Sequence, residues 1–472
     1  MASLGWRLLW AVNVLVIAYF LLLNLFYLLT SLVAFRALRH YARRLELLDT
    51  EALIAGGGVP PITLIAPAFN EEATCVEATR SLLTLRYPEY EILVVSDGSR
   101  DATLERLTAS FDLRPAARAP MAAIPAKPVR AVLRSRAHPN LWVIDKDNGG
   151  KADALNVGLN HCRTPLFCAM DADGLLERDA LIRVVRPFLE RRDTVAVGGI
   201  IRIINGCTVE RGAVTEVRLP ASRLARFQVL EYLRAFLSGR MGWAALDATL
   251  IISGAFGLFR RSAVVEAGGF ATDTVGEDME LVVRLHQRCR TLRIPYSVTF
   301  VPDPVAWTEC PETFRDLGRQ RDRWQRGLSE SLLHHRRLLL NPRFGRIGLL
   351  AFPYFFFLEM LGPAVELAGY VAFAVLVATG RADGPFVVLF LLVAFGFGVA
   401  LSVAAVGLEE LSFRRYPRLR DVVRLFALAV LENFGYRQLS TFWRVRGMFS
   451  TLRRKKGWGA MTRKGFVPQV IG

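Results

Sequence analysis

Asp171-Ala172-Asp173 directly follows the apolar run Leu166–Met170. On an extended segment alternate residues face the same way, so this spacing presents two carboxylates together. Hard oxygen ligands of that kind suit Mg2+ or Mn2+, which bind through one or two carboxylates plus substrate phosphates. Asp97-Gly98-Ser99 sets another carboxylate at the end of the apolar run Glu91–Ser96. Gly276-Glu277-Asp278 brings two more directly before the amphipathic run Met279–Leu285, at a helix start. Helix capping alone accounts for acidic residues in such a place. Ser253-Gly254-Ala255-Phe256 reads as a turn before an apolar segment. Gln320-Arg321-Asp322-Arg323-Trp324 reads as helical, with cations around an aromatic ring.

The elements that must position these residues alternate between short apolar runs and amphipathic stretches from about Pro60 onward. Ile62–Ala66, Glu91–Ser96, Leu141–Ile144, Leu166–Met170 and Val195–Ile200 read as strands. Helices are expected from Glu71 with Asn70 as its cap, from Asp101, and over Lys151–His161 and Arg178–Glu190. Such alternation predicts an α/β fold with a doubly wound, mostly parallel sheet. Sheets of that kind bind ligands beyond the carboxyl ends of their strands, where the acidic residues fall.

Five motifs occur in one order: Pro67-Ala68-Phe69-Asn70-Glu71, Asp97-Gly98-Ser99, Asp171-Ala172-Asp173, Gly276-Glu277-Asp278 and Gln320-Arg321-Asp322-Arg323-Trp324. Together they resemble the family 2 glycosyltransferases, in particular the membrane-embedded processive branch that makes cellulose, chitin, hyaluronan and poly-N-acetylglucosamine. The resemblance covers roughly residues 60–340. It departs from the family pattern at Phe69, where Tyr is usual, and at Gly276, where Thr is frequent. It implies a GT-A type domain, a UDP-linked sugar donor and a Mg2+ or Mn2+ cofactor. On this resemblance Phe69, Glu71 and Asp97 hold the uridine, Lys151 contacts the diphosphate, and Asp173 with Asp171 holds the metal. Asp278 is the catalytic base of an inverting transfer, with Glu277 beside it. Ser253, Gly254 and Phe256 form the acceptor turn, and Glu277, Gln320, Arg323 and Trp324 complete the acceptor and processivity set. The alternatives are transfer of a single sugar to a lipid acceptor and an inactive subunit on the same fold. The second would be expected to have lost Asp171, Asp173 or Asp278, and all three are present.

The whole chain fits a protein of membrane and cytoplasm. Its 472 residues are 52% hydrophobic, with 60 Lys+Arg against 43 Asp+Glu and a net charge of +17. A mean hydropathy of +0.30 excludes disordered, disulfide-rich and purely soluble classes. The six cysteines form no C-x-x-C pair, which suits a reducing compartment. No nucleic-acid-reading motif accompanies the basic charge. Leu8–Phe35 has no charged residue and is followed by Arg36, Arg39, Arg43 and Arg44. The positive-inside rule then places the N-terminus outside and the next domain in the cytoplasm. Further spans are expected at 361–380, behind an interfacial helix from Ile347, and at Pro385–Leu408. Leu425–Trp443 contains Glu432 and Arg437 and reads as a re-entrant or interfacial helix pair, with the basic run Arg453–Lys456 inside. The expected division is 1–45 as a membrane helix with its basic flank and 60–340 as the cytoplasmic transferase domain. Residues 341–411 form an interfacial helix and two spans, and 412–472 the basic segment and tail. The expected site is the inner (cell) membrane, multi-pass. Partners would be a nucleotide-sugar, a saccharide or lipid acceptor, the bilayer and accessory export or regulatory proteins, but no nucleic acid.

Overall fold

The computed structural model describes residues 2–45 and 57–453. Ten strands form one sheet in the order β3-β4-β5-β2-β1-β6-β11-β8-β12-β7. They are β1 (Ile62–Ala68), β2 (Tyr90–Asp97), β3 (Leu113–Pro115), β4 (Val129–Ser135), β5 (Leu141–Lys146), β6 (Leu166–Met170), β7 (Leu175–Leu176), β8 (Thr194–Ile203), β11 (Phe256–Arg260) and β12 (Ser297–Thr308); β9 (Thr208–Glu210) and β10 (Ala213–Glu216) pair separately. The expected α/β core is present. Its centre, β5-β2-β1-β6, is parallel, as is β8 with β12. The rest is antiparallel: β11 runs back between β6 and β8, and β3 with β4, β4 with β5 and β12 with β7 also pair antiparallel.

Alternation along the central strands explains why helices cover both faces. Leu64, Ala66, Ile92 and Val94 enter one buried cluster, while Ile65, Leu93 and Val95 enter another. The first face receives α2 (Cys75–Leu83), α3 (Thr103–Phe111), α5 (Ala180–Glu190) and α6 (Arg223–Leu233). The second receives α4 (Lys151–His161) and α7 (Glu277–Leu292). One expected start is corrected. The helix after β1 begins at Cys75, not Glu71, and Asn70 does not cap it. Asn70 lies at φ 55° and accepts from the Arg100 amide at 2.9 Å, tying this loop to the one after β2.

Around the domain run α1 (Ala2–Leu45), α8 (Phe314–His334), α9 (Gly362–Ala378), α10 (Gly384–Ser412), α11 (Leu419–Leu431) and α12 (Tyr436–Leu452). Among the described residues two helices are long and apolar enough to cross a membrane, 5–43 and Gly384–Ser412. A third candidate is Ile347–Met360 with Gly362–Ala378, bent by 41°. That bend separates Glu359 from Glu366, which seven-residue spacing would otherwise set on one helix face. Glu359 accepts from Tyr27 Oη at 2.7 Å, Tyr354 Oη at 2.8 Å and Arg444 at 3.2 Å. Glu366 accepts from Tyr370 and Thr441. The segment after Arg418 is a helix pair, α11 and α12, joined through Gly435 at φ 96°. The tail from Arg454 onward lies outside the described residues.

The arginines near Ser412 meet the sheet domain. Arg415 lies 3.8 Å from Glu177, and Arg418 lies 2.6 Å from Glu216. Deeper, Arg202 on β8 makes a two-pronged pair with Glu409 of α10 at 2.8 Å, both buried. Arg234 pairs with Glu432, which also accepts from Ser402. The domain and its flanking helices therefore share a buried polar boundary as well as an apolar one.

Candidate active site

A cavity of about 1200 Å³ opens at the carboxyl ends of β1, β2 and β6. Its walls include Phe69, Glu71, Asp97, Lys151, Asp171, Asp173, Ser253, Gly254, Glu277, Asp278, Gln320, Arg323 and Trp324. It continues to Phe355, Glu359, Ser440 and Arg444, beside the candidate span that bends at Leu361. Thus every candidate residue but one reaches the same space. The exception is Phe256. As the first residue of β11 it is fully buried and packs against Gly199, so it belongs to the core and not to the acceptor turn.

At the carboxyl end of β2 a buried lysine that sequence reasoning missed organises the loop. Lys146 ends β5 with no exposure. Its Nζ lies 2.5 Å from Asp97 Oδ1 and 2.7 Å from Asp153 Oδ1. Asp97 also accepts from the Gly149 amide at 3.0 Å, the Gly150 amide at 2.7 Å and Asn148 Nδ2 at 3.1 Å. Two buried carboxylates around one ammonium ion are stable because every oxygen is given a donor. Asp97 therefore fixes the loop that delivers Lys151 to the start of α4. The signal for Lys146 was available: it is a charged residue at the end of a buried strand. Phe69, by contrast, is 46% exposed at the cavity mouth, a surface on which a flat ring can lie.

Lys151 sits at the centre of the site. Its Nζ is 2.6 Å from Asp171 Oδ1, 3.3 Å from Glu277 Oε1 and 3.1 Å from the Gly254 carbonyl. Burial lowers the affinity of this amine for its proton, but Asp171 and Glu277 outweigh burial and raise its pKa above the usual lysine value. Burial raises the Glu277 carboxyl to about 7, with Lys151 opposing and Asp278 adding to the rise. Asp278 Oδ2 accepts from the Gly254 amide at 2.8 Å, and Oδ1 from the Met279 amide at 2.8 Å. A Cβ at Gly254 would stand 2.7 Å from Lys151 Nζ and 3.2 Å from Asp278 Oδ2, so any larger residue in this turn would press on both side chains. Gly276 is explained the same way. A Cβ there would lie 2.7 Å from Gly327 Cα, where α7 starts against α8.

Asp171-Ala172-Asp173 is a turn, closed by the Gly174 amide on the Asp171 carbonyl at 3.2 Å, and not the extended segment the spacing suggested. Both carboxylates nevertheless line the cavity. The donor set fits a divalent cation: hard oxygens on one turn, next to Glu277 and Asp278, in a space large enough for a diphosphate. A separate group, Glu280, His334 and His335, has ligand atoms within 4.8 Å of one another. His335 there is bonded to Gln287 at 2.7 Å and Glu280 at 3.0 Å, and the group does not line the cavity.

On the opposite wall of the cavity α8 carries the arginine and tryptophan stripe. Trp324 is 43% exposed and lies over the Arg321 guanidinium at 4.4 Å. Arg321 is buried and held by Glu231 at 2.7 Å. Arg240, also missed from sequence, joins this wall and donates to the Ile251 carbonyl at 2.9 Å. Burial lowers its pKa to about 10. It ends a wide-turned helical segment, Arg234–Arg240, a geometry frequent at functional sites.

A GT-A-like mixed sheet with acidic strand ends faces a cavity that reaches apolar helices. The chain belongs to the family 2 glycosyltransferases: residues 166–401 match Glycosyl transferase family group 2, and residues 63–117 match Glycosyl transferase family 2. It is similar to the poly-beta-1,6-N-acetyl-D-glucosamine synthase of Staphylococcus epidermidis, 28% identical over 275 residues, 58% of this chain and 56% of that one. The Staphylococcus aureus (strain COL) synthase of the same name is 28% identical over 273 residues, 58% and 55% of the two chains. The match thus spans little more than half the length of these relatives. Among solved structures, the mannosyltransferase PcManGT from Pyrobaculum calidifontis, in complex with GDP-Man and Mn2+, aligns with a TM-score of 0.53 at 20% identity. That alignment covers 89% of this chain and 99% of the other, and it supports the fold.

Proposed function

We propose that this chain is an inverting hexosyltransferase that moves sugar from a UDP-linked donor to a growing β-linked polysaccharide. It acts processively and couples synthesis to export. One observation carries the reading: a single cavity joins the Lys151 and Asp171 wall, through Asp278, to Trp324 and then to Glu359 and Arg444 beside the candidate span that bends at Leu361. A donor site opening on one side and a membrane path on the other is the arrangement that polymer extension through a bilayer needs. In this reading the protein is multi-pass in the inner (cell) membrane, with the sheet domain cytoplasmic.

The residues act as follows. Phe69 stacks on the base, Glu71 contacts the nucleoside, and Asp97 positions the loop that carries Lys151. Lys151 neutralises the diphosphate. Asp171 and Asp173 would hold Mg2+ or Mn2+, whose charge would stabilise the departing diphosphate. Asp278 Oδ2 takes the proton from the acceptor hydroxyl as that oxygen bonds to the anomeric carbon. The bond from that carbon to the diphosphate breaks, and UDP leaves with its electron pair. Base assistance of this kind is worth about 10²–10⁴-fold. Glu277, buried against Lys151, holds the ammonium in place. Ser253 and Gly254 shape the acceptor turn, while Gln320, Arg323 and Trp324 hold the terminal sugar.

The test is a donor panel on purified full chain in detergent, with Mg2+ or Mn2+ and each UDP-sugar in turn, reading UDP release. One UDP-sugar should turn over well above the others. No UDP release from any UDP-sugar would overturn the donor assignment. Orientation is tested by cysteines at positions 3 and 462 with an impermeant thiol reagent on intact cells. Position 3 should label and position 462 should not.

A further inference from the structure

The candidate span that bends at Leu361 breaks where its carbonyl groups lose their helical donors. Pro363 has no N–H to give the Glu359 carbonyl four residues back. Nor can it serve the Leu358 carbonyl five residues back, the spacing of the wide-turned segment Tyr354–Met360. The Ala364 and Val365 amides both turn to the Leu361 carbonyl, at 3.1 and 3.3 Å. The two halves of the span meet at 41°. In a bilayer, carbonyls freed in this way must find other donors.

Four consecutive carbonyls at the break receive side-chain donors, and these come from three different helices. Tyr19 Oη of α1 lies 3.0 Å from the Phe357 carbonyl and 3.2 Å from the Leu358 carbonyl. Arg444 Nη2 of α12 donates to the Glu359 carbonyl at 2.7 Å. Gln325 Nε2 of α8 donates to the Met360 carbonyl at 2.9 Å. Arg444 Nε donates in turn to Gln325 Oε1 at 2.9 Å, so the two side chains form one unit. Gln325 is 2% exposed, and a buried amide is costly to leave unmatched. The two helices approach closely here. A Cβ at Gly447 of α12 would lie 2.7 Å from the Asp322 carbonyl oxygen and 2.8 Å from Gln325 Cβ. Beyond the break, Thr441 of α12 donates to Glu366 of α9 at 3.1 Å. α12 therefore holds the span on both sides of its bend.

Gln325 follows Trp324 on α8. Trp324 is exposed at the cavity, while the Gln325 amide is fixed to the span. A side chain that donates to one helix and accepts from another sets the height at which α8 stands against both. A slip of one residue, about 1.5 Å along the helix, would break these bonds together. We propose that Gln325 and Arg444 are positioning residues for polymer extension. By capping the broken span they hold Trp324 at one height relative to the membrane end of the cavity, so each new terminal sugar is presented there in the same register. This rests on the processive reading under Proposed function.

The test uses purified full chain in detergent. Gln325→Met keeps the size of the side chain and removes both amide bonds. Arg444→Lys keeps a donor for Glu359 and loses the bond to Gln325, and it serves if the first variant does not fold. Each should shorten radiolabelled polymer about three- to tenfold, the equivalent of one net hydrogen bond. UDP release without acceptor should stay within about twofold of the parent. Hydrogen exchange read by mass spectrometry should rise in peptides over 320–330 and 356–366 and keep the parent's level over β1 and β2. Parental product lengths in both variants would overturn the assignment. So would shortening matched by an equal loss of acceptor-free UDP release, or exchange that rises across the sheet as well, since either means that the two residues only support the fold. A parent that adds a single sugar would sink the processive reading, and the acceptor KM would then decide the role of the cap. A rise of about threefold in Gln325→Met at unchanged kcat would support positioning, and an unchanged KM would overturn it.

Discussion

The two ends of the main cavity are built from different cations. The donor wall uses lysines: Lys146 shared between Asp97 and Asp153, Lys151 shared between Asp171 and Glu277. The membrane-side wall and its supports use arginines: Arg444 on Glu359, Arg202 on Glu409, Arg321 on Glu231. An ammonium is a compact charge that several oxygens can share, so it can turn from a carboxylate to an arriving diphosphate. A guanidinium is a planar fork that fixes two elements in one geometry. The difference suits the two tasks. Under the proposed function, the donor wall releases and rebinds a charged molecule each cycle, whereas the membrane-side wall keeps its helices in register beside the product.

The largest expected effect separates chemistry from binding. Asp278→Asn keeps the size of the side chain, including an oxygen for the Gly254 amide, and removes its basicity. Turnover should fall about 10²–10⁴-fold, with donor affinity by calorimetry nearly unchanged. UDP release within threefold of the parent would mean that another group takes the proton.

A pair of charge-removing variants separates the two walls. Lys146→Met leaves Asp97 and Asp153 buried without their cation, and Arg202→Met does the same to Glu409. Each should destabilise the protein by about 3–5 kcal/mol, read as a lowered thermal midpoint. Only Lys146→Met should also lose donor affinity. Equal loss of donor binding in both would show that the two walls are not independent.

Glu277 supplies a pH test. Its folded pKa of about 7 lies above the ordinary 4.5, so the native protein holds the extra proton between those values. Stability from this group is complete below pH 4.5 and is lost as pH rises through 7. Glu277→Gln should therefore flatten the fall in thermal midpoint across that window and sit above the parent on its alkaline side. A parallel slope in both proteins would remove Glu277 as its source.

The smallest effect concerns the acceptor. Trp324→Ala removes an exposed ring lying over Arg321. A loss of about 1 kcal/mol corresponds to roughly fivefold in acceptor dwell, so products should shorten while UDP release without acceptor survives better. Equal lengths at reduced yield would make Trp324 a structural residue only.

Much of this site could be read from sequence because its carboxylates stand at strand ends and helix starts, where periodicity changes visibly. Leu166–Met170 and Lys151–His161 have the expected bounds for that reason. What escaped was tertiary. β11 inserts antiparallel between β6 and β8, a pairing that its short apolar run does not encode, and this turns Phe256 inward. Asn70 looked like a helix cap, yet its bond goes to a loop 30 residues away. Lys146 and Arg240 belong to no motif, and their importance follows only from being buried beside aspartates or in the cavity wall.

Product length reads processive synthesis without an intermediate assumption. Purified full chain would be given the UDP-sugar that it turns over, radiolabelled, with Mg2+ or Mn2+, and the products sized at early times and low conversion. Long polymer beside unused acceptor is expected, with length independent of the fraction of donor consumed. A product extended by a single sugar, or short chains lengthening in step with donor consumption, would contradict processive synthesis.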